Sequence, residues 1–144
     1  MNNALVKIDG NIYSKIEKGL VAFAGISEND DKKTVDFMCD KMLNLRIFSD
    51  INDKMNLSLL DIEGDILMIS NFTLYADCSH GRRPNFLKAA KPYIASQLFD
   101  YSVSVLKDKV KNIKTGIFGA DMKVELLNDG PVTIILDSDE IMKK

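Results

Sequence analysis

DILMISNFTLYAD, residues 65–77, decides how this chain must fold. In an extended strand, successive side chains point to opposite faces. Leu67, Ile69, Asn71, Thr73 and Tyr75 would share one face, and Ile66, Met68, Ser70, Phe72 and Leu74 the other. Both faces are apolar at the start. A strand with water on one side alternates apolar and polar residues, so one that is apolar on both needs a cover over each. The far end changes character, because Ser70, Asn71 and Thr73 bring hydroxyl and amide groups to an apolar strand. Such groups can form the rim of a pocket, or they can satisfy neighbouring backbone as most buried polar groups do.

Working outward, a turn at Glu63-Gly64-Asp65 introduces this strand, and GLVAFAGI (19–26) reads as a second buried strand closed by Gly25. Between them, in the stretch 27–48, the period changes. Val35, Met38, Cys39, Met42 and Leu43 fall at i, i+3, i+4, i+7 and i+8, the stripe of a helix, with Ser27, Asn29 and Asp30 as candidate N-caps. A second helix is predicted over 91–110, with Pro92 in its first turn and Ile94, Leu98, Tyr101 and Val105 near one face. LVKIDGNIYSKI (5–16) carries a hairpin signal around Asp9-Gly10-Asn11. GIFGADMKVELL (116–127) returns to strand. In ELLNDGPVTIILDS (125–138), two β-prone runs flank Asn128-Asp129-Gly130-Pro131. Asn-Asp-Gly is turn chemistry, but Pro131 cannot donate to a ladder and stands directly before Val132–Leu136. Either this is a hairpin turn, or a Gly-Pro peptide is being presented to something. Few helices, many strands and hairpins alternating with helical crossovers give an α/β protein. Its sheet is mixed or antiparallel, with the two main helices on one side.

The chain has 144 residues, read as one domain over 1–144, with 46% apolar and 28% charged residues, the balance of a globular protein. No apolar run reaches the length of a membrane span, and MNNALVKIDG lacks the apolar core of a secretion signal. Two cysteines, Cys39 and Cys78, make no disulfide framework and fit a reducing cytoplasm. A net charge of −2 argues against sequence-blind nucleic-acid binding over the whole surface, yet leaves room for a local basic patch.

The best basic patch is CSHGRRPNF (78–86), where Arg82 and Arg83 follow Gly81 and precede Pro84. Arginine's planar fork suits phosphate, although a solvated loop would look the same. Phe86 reads as a core anchor or, alternatively, a stacking residue. Familiar catalytic sets are thin: the one histidine, His80, has no evident partner, and Cys78 and His80 lack further ligands at metal spacing. Neither metal nor cofactor is expected. Cys39 lies on the helical stripe and reads as core. An enzyme built from these residues would draw on backbone amides and on the substrate itself.

Taken together, residues 43–86, the stretch TGIFGADMKVELLNDGPVT (115–133) and the closing LDS (136–138) resemble the bacterial D-aminoacyl-tRNA deacylases. The resemblance runs from about Gly19 to Ser138. It implies a three-layer β/β/α sandwich and a hydrolase that frees D-amino acids from tRNA by cleaving the ester to the terminal ribose. Glycine wrongly attached to alanine tRNA is a further implied substrate, and L-aminoacyl-tRNA is rejected. The family's Ser-Gln-x-x-[aromatic or Leu] motif is carried here by Ser70, Asn71, Phe72, Thr73 and Leu74. Its Gly-cisPro pair corresponds to Gly130-Pro131, which in a homodimer would reach the partner's pocket and exclude an L side chain. Backbone N–H groups near Phe72 and Thr73 would hold the oxyanion while a ribose hydroxyl assists water; Thr73 as a nucleophile is the competing reading. Two departures stand out. Asn71 is one methylene shorter than the family's Gln, and the strand whose Arg helps to fix the Gly-Pro segment is not evident before Met1. An L-seryl-tRNA editing module and a non-catalytic tRNA-end binding protein are the alternatives.

Overall fold

A computed structural model describes residues 1–142. The chain runs β1 (Asn3–Ile8), β2 (Asn11–Ile16), β3 (Gly19–Ala24), α1 (Lys32–Asn44), β4 (Phe48–Ser49), β5 (Met55–Leu57) and α2 (Leu59–Ile62). It continues with β6 (Asp65–Ser70), a 3-10 helix (Phe72–Tyr75), α3 (Pro92–Lys107), β7 (Ile113–Thr115), β8 (Lys123–Leu127) and α4 (Ser138–Ile141).

β6 is the strand that both layers share. It lies between β3 and β7 in a parallel sheet, with Ala22 opposite Met68 and Ile113 opposite Ile66. Its Ile66 and Met68 pack into a core with Val35, Cys39 and Leu43 of α1 and Leu98, Phe99 and Leu106 of α3. Leu67 and Ile69, on the opposite face, pack with Ala4, Val6 and Ile16 of the second sheet. That sheet is antiparallel, in the order β2-β1-β8. The layers are therefore antiparallel sheet, parallel sheet and helices, the β/β/α arrangement, with the main strands divided between two sheets and β4 and β5 forming a separate antiparallel pair. Asp9 and Gly10 form the two-residue turn between β1 and β2, both at positive φ (52° and 80°), as the twist of such a hairpin requires.

Several local expectations need correction. The strand read over 65–77 stops at Ser70. The last ladder bond past it runs from the Asn71 amide to the Ala24 carbonyl, 2.9 Å, and β7 ends opposite Met68. With no neighbour left to pair, the chain closes its own short-range bonds as a 3-10 turn, so Asn71, Thr73 and Tyr75 do not continue the face of Leu67 and Ile69. Asp31, not Ser27, Asn29 or Asp30, caps α1 by accepting from the Thr34 amide; Asp30 accepts instead from the Ser27 amide. On α3 the buried stripe is Ala95, Leu98, Phe99, Ser102 and Leu106. Ile94 is exposed, and Tyr101 turns to donate its hydroxyl to Asp36 of α1 at 2.6 Å. β8 begins only at Lys123, and Val132–Leu136 forms no strand at all. The Cys39 thiol is core as read, and burial pushes its pKa up to about 11.

Candidate active site

The covered strand delivers its polar end to the surface in a defined shape. The 3-10 helix lies directly over the end of β3, and Gly25 makes that approach possible. A Cβ on Gly25 would stand 3.1 Å from Leu74 Cβ, 3.2 Å from Tyr75 Cδ2 and 3.3 Å from the Asn71 carbonyl oxygen. Ser70 is half-buried and pairs with Ala24 as the last residue of the ladder. Asn71 follows at φ −150° and ψ 89°, and its side-chain oxygen accepts from the Thr73 hydroxyl at 2.5 Å. The first amides of any helix have no partner within it. Those of Phe72 and Thr73 donate to nothing among the described residues. Two backbone donors therefore sit beside an exposed hydroxyl whose proton is already engaged. Among the described residues no imidazole or amine hydrogen-bonds to that hydroxyl to take its proton.

Phe72 leaves 58% of its surface exposed and meets Phe86 edge-on, with centroids 5.0 Å apart and planes at 76°. Phe86 is thus half-buried against the motif, where sequence reading put it in the core. This contact roots the 78–86 loop beside the turn. Asp77 and Asn85 exchange backbone hydrogen bonds of 2.7 and 3.0 Å at the base of the loop. The Ser79 hydroxyl and amide donate to the Asp77 carboxylate at 2.6 and 3.0 Å and hold it below the ordinary carboxylate range. Arg82 and Arg83 stand exposed on this loop, with no acidic partner among the described residues. Cys78 and His80 are exposed there too, and no group of three or more metal-ligating side chains occurs among the described residues.

Gly130 and Pro131 are not brought to Ser70–Thr73 by any hydrogen bond within the described chain. Their peptide bond is cis. The loop is stapled from inside by Asn128, whose side chain donates to the Thr133 hydroxyl at 2.9 Å and accepts from the Val132 amide at 3.3 Å. Gly130 adopts φ +128°, and a Cβ there would come within 2.9 Å of Val132 Cγ2. The turn points outward, with Asn128, Asp129, Gly130 and Pro131 all exposed. In the sequence Asn128 reads only as turn chemistry and Gly25 only as the close of a strand, neither as part of the site. Asn four residues before a β-branched run carried the signal for the first, by its tendency to bond nearby backbone. Nothing local signals the second, since its requirement for space comes from a segment nearly fifty residues away.

Two solved structures share this architecture. The one titled "c-Myc DNA Unwinding Element Binding Protein" superposes with a TM-score of 0.91 at 36% identity, covering 95% of this chain and 93% of that one. The one titled "Structural Analysis of a probable eukaryotic D-amino acid tRNA deacylase" gives 0.79 at 14% identity, with 91% of each chain covered, a likeness of fold. A family model described as D-Tyr-tRNA(Tyr) deacylase matches residues 1–137. Fold and sequence therefore define an enzyme of the hydrolase class. The D-aminoacyl-tRNA deacylase of Clostridioides difficile (strain 630) is 52% identical over 138 residues, covering 96% of this chain and 93% of the relative. That of Thermosipho africanus (strain TCF52B) is 47% identical over 141 residues, with 98% and 95% covered. The chain belongs to the D-aminoacyl-tRNA deacylase family.

Proposed function

We propose that the protein hydrolyses the ester joining a D-amino acid, or glycine, to the terminal ribose of tRNA, and that it does so at the Ser70–Thr73 turn. The observation that carries this reading is the pair of free amides on Phe72 and Thr73 at the end of a strand covered on both faces. Water adds to the ester carbonyl, and the charge that develops on oxygen lies where these two donors can reach it. The C–O bond to the ribose then breaks, the ribose oxygen leaves with a proton and the amino acid departs as a carboxylate. The neighbouring ribose hydroxyl assists the water. Asn71 holds the Thr73 hydroxyl, which orients the turn, and its carboxamide oxygen is no base that could take the proton and make a nucleophile of that hydroxyl.

The Gly130-Pro131 turn serves a second copy of the chain. An exposed Gly-Pro loop followed by an unpaired apolar run, with Ile134 and Ile135 in solvent, supports a two-fold homodimer in which each turn closes its partner's pocket. Backbone there would occupy the space an L side chain needs, whereas D-aminoacyl and glycyl esters would fit. Arg82 and Arg83 would hold tRNA phosphate. The whole of 1–144 acts as one domain. No helix among the described residues is long and apolar enough to cross a membrane, in keeping with work in the cytoplasm on its tRNA substrate.

The test is a panel of D-Tyr-, L-Tyr-, L-Ser- and glycyl-tRNA at equal enzyme concentration. Hydrolysis of the D-Tyr and glycyl esters, with L-Tyr and L-Ser spared, is the expected pattern. Preferential cleavage of L-Ser-tRNA would make this an editing module for that residue. Tight binding with no turnover would make it a non-catalytic tRNA-end binding protein.

A further inference from the structure

Beside the candidate site, the chain carries RRPNFLKAAKPY, residues 82–93, with four basic residues and no acidic one in a protein of net charge −2. None of the four forms an ion pair among the described residues, although Lys88 lies close enough to Asp77 to help depress its carboxyl. The segment is not a loose loop. Its Ala90 amide donates to the Ile26 carbonyl at 2.9 Å, and its Lys88 carbonyl accepts from the Glu28 amide at 3.2 Å. Ile26 follows Gly25, over which the 3-10 turn rests. The segment is thus fixed to the same wall as Phe72 and Thr73. Two large apolar side chains nevertheless stand in solvent on it, Leu87 at 82% and Tyr93 at 74% exposed. Tyr93 opens α3 on the side away from the buried stripe of that helix and is offered no hydrogen-bond partner among the described residues.

A tethered surface that sets unpaired cations beside an exposed ring and an exposed apolar chain fits single-stranded nucleic acid, whose bases stack and whose phosphates need neutralising. We infer that residues 82–93 form a docking ledge for the unpaired 3′ strand of tRNA, with Tyr93 stacking on a base and Lys88 and Lys91 meeting the phosphates on either side. This rests on the reading of Ser70–Thr73 as the site that receives the aminoacylated end, and it names what lies next to that end. Charge decides between this occupant and a second copy of the chain. A dimer face would bring Lys88 and Lys91 against a protein surface, and lysine is depleted at the centre of such faces.

The experiment needs no ester, so its outcome is separate from that of the deacylase reading. A fluorescent RNA minihelix with a four-nucleotide unpaired 3′ tail and the same minihelix ended blunt are titrated against wild type, Tyr93→Ala and Tyr93→Phe. Wild type should prefer the tailed form, and Tyr93→Ala should weaken tailed binding about tenfold while leaving blunt binding unchanged. Tyr93→Phe, which keeps the ring, should stay near wild type. Replacing Lys88 and Lys91 together by Ala should flatten the salt dependence by about two counterions. Equal affinity of wild type for both RNAs, or a Tyr93→Ala protein indistinguishable from wild type, overturns the ledge. So does dissociation of Tyr93→Ala to monomers in light scattering, which would assign the surface to a second copy.

Discussion

β6 with its turn, residues 65–75, and the stretch 128–136 are both candidate parts of one site, and both are rich in β-prone residues. They end up opposite in kind. Each apolar side chain of Ile66–Ile69 finds a buried neighbour on one face or the other, and the turn that follows is held by β3 and by Phe86. Val132–Leu136 has comparable propensity, yet it pairs with nothing among the described residues and leaves Ile135 90% exposed. β-propensity is a fitness for a pleated, half-buried surface and becomes a strand only where a free edge is on offer. One region is complete within the chain. The other is left uncovered by the described residues.

The largest effect should come from testing that contrast directly. Ile66 is fully buried, so Ile66→Ala should lower unfolding free energy by about 2–5 kcal/mol in urea. Ile135→Ala should change it by less than about 0.5 kcal/mol at concentrations where the chain is monomeric. Repeated at higher concentration, the Ile135→Ala deficit should grow as wild type gains from association and the variant does not. A deficit independent of concentration would mean that Ile135 is covered by its own chain, and the contrast would fail.

A pair of glycines sharpens it further. Gly25→Ala would press on Leu74, Tyr75 and Asn71 at 3.1–3.3 Å, shifting the turn by tenths of an ångström. Turnover of D-Tyr-tRNA should fall about tenfold with its stereoselectivity intact, because misplaced donors slow the reaction without opening space. Gly130→Ala forces a side chain into φ +128° and against Val132, so the outward turn itself must move. Here selectivity should suffer, with L-Tyr-tRNA hydrolysis rising relative to D-Tyr-tRNA. Identical kinetic signatures for the two variants would show that the turns do not have separate jobs.

The same contrast explains what could be read from the sequence. The two-sided burial of Ile66–Ile69 was legible because a period of two is a local signal. Its end at Ser70 was not, since that depends on where β3 and β7 stop. Val132–Leu136 misled for the same reason. The capping box of α2, Ser58 with Asp61, was written plainly in the sequence but lay inside the apolar run LSLLDI, which masks so short a helix. Of the site, the polar end of β6 could be suspected from the residues. Gly130-Pro131 stood out as an anomaly that only family resemblance gave a role, and its distance from Ser70–Thr73 in sequence left nothing local to join them.

Acid should separate the regions more gently. Asp61 is held below the ordinary value of 3.8 by the Ser58 amide and hydroxyl, and Asp77 by the Ser79 hydroxyl and amide. Each binds fewer protons folded than unfolded, so its contribution is present above about pH 4 and is lost as pH falls through the folded value. Asp77 ties down the loop that carries Arg82 and Arg83. Protection of the Ser79 amide against exchange, relative to the unfolded rate at the same pH, should therefore fall below about pH 4 before protection in β6 does. Simultaneous loss in both would show that the loop has no independent stability.

The smallest effect should fall on the residue that looks most like chemistry. Thr73 offers an exposed hydroxyl at the centre of the candidate site, but it donates to Asn71 at 2.5 Å and no base among the described residues hydrogen-bonds to it. An exposed hydrogen bond of this kind contributes about 0.5–1.5 kcal/mol, so Thr73→Ala should cost no more than about tenfold in kcat for D-Tyr-tRNA. The amides of Phe72 and Thr73 survive that substitution, and with them the means to hold the oxyanion. Asn71→Ala should behave alike, and the double variant should be no worse than either single one, because both remove the same bond. A loss of several orders of magnitude in Thr73→Ala, with tRNA binding intact, would make the hydroxyl a nucleophile. The turn would then have to find a base among groups that do not now touch it.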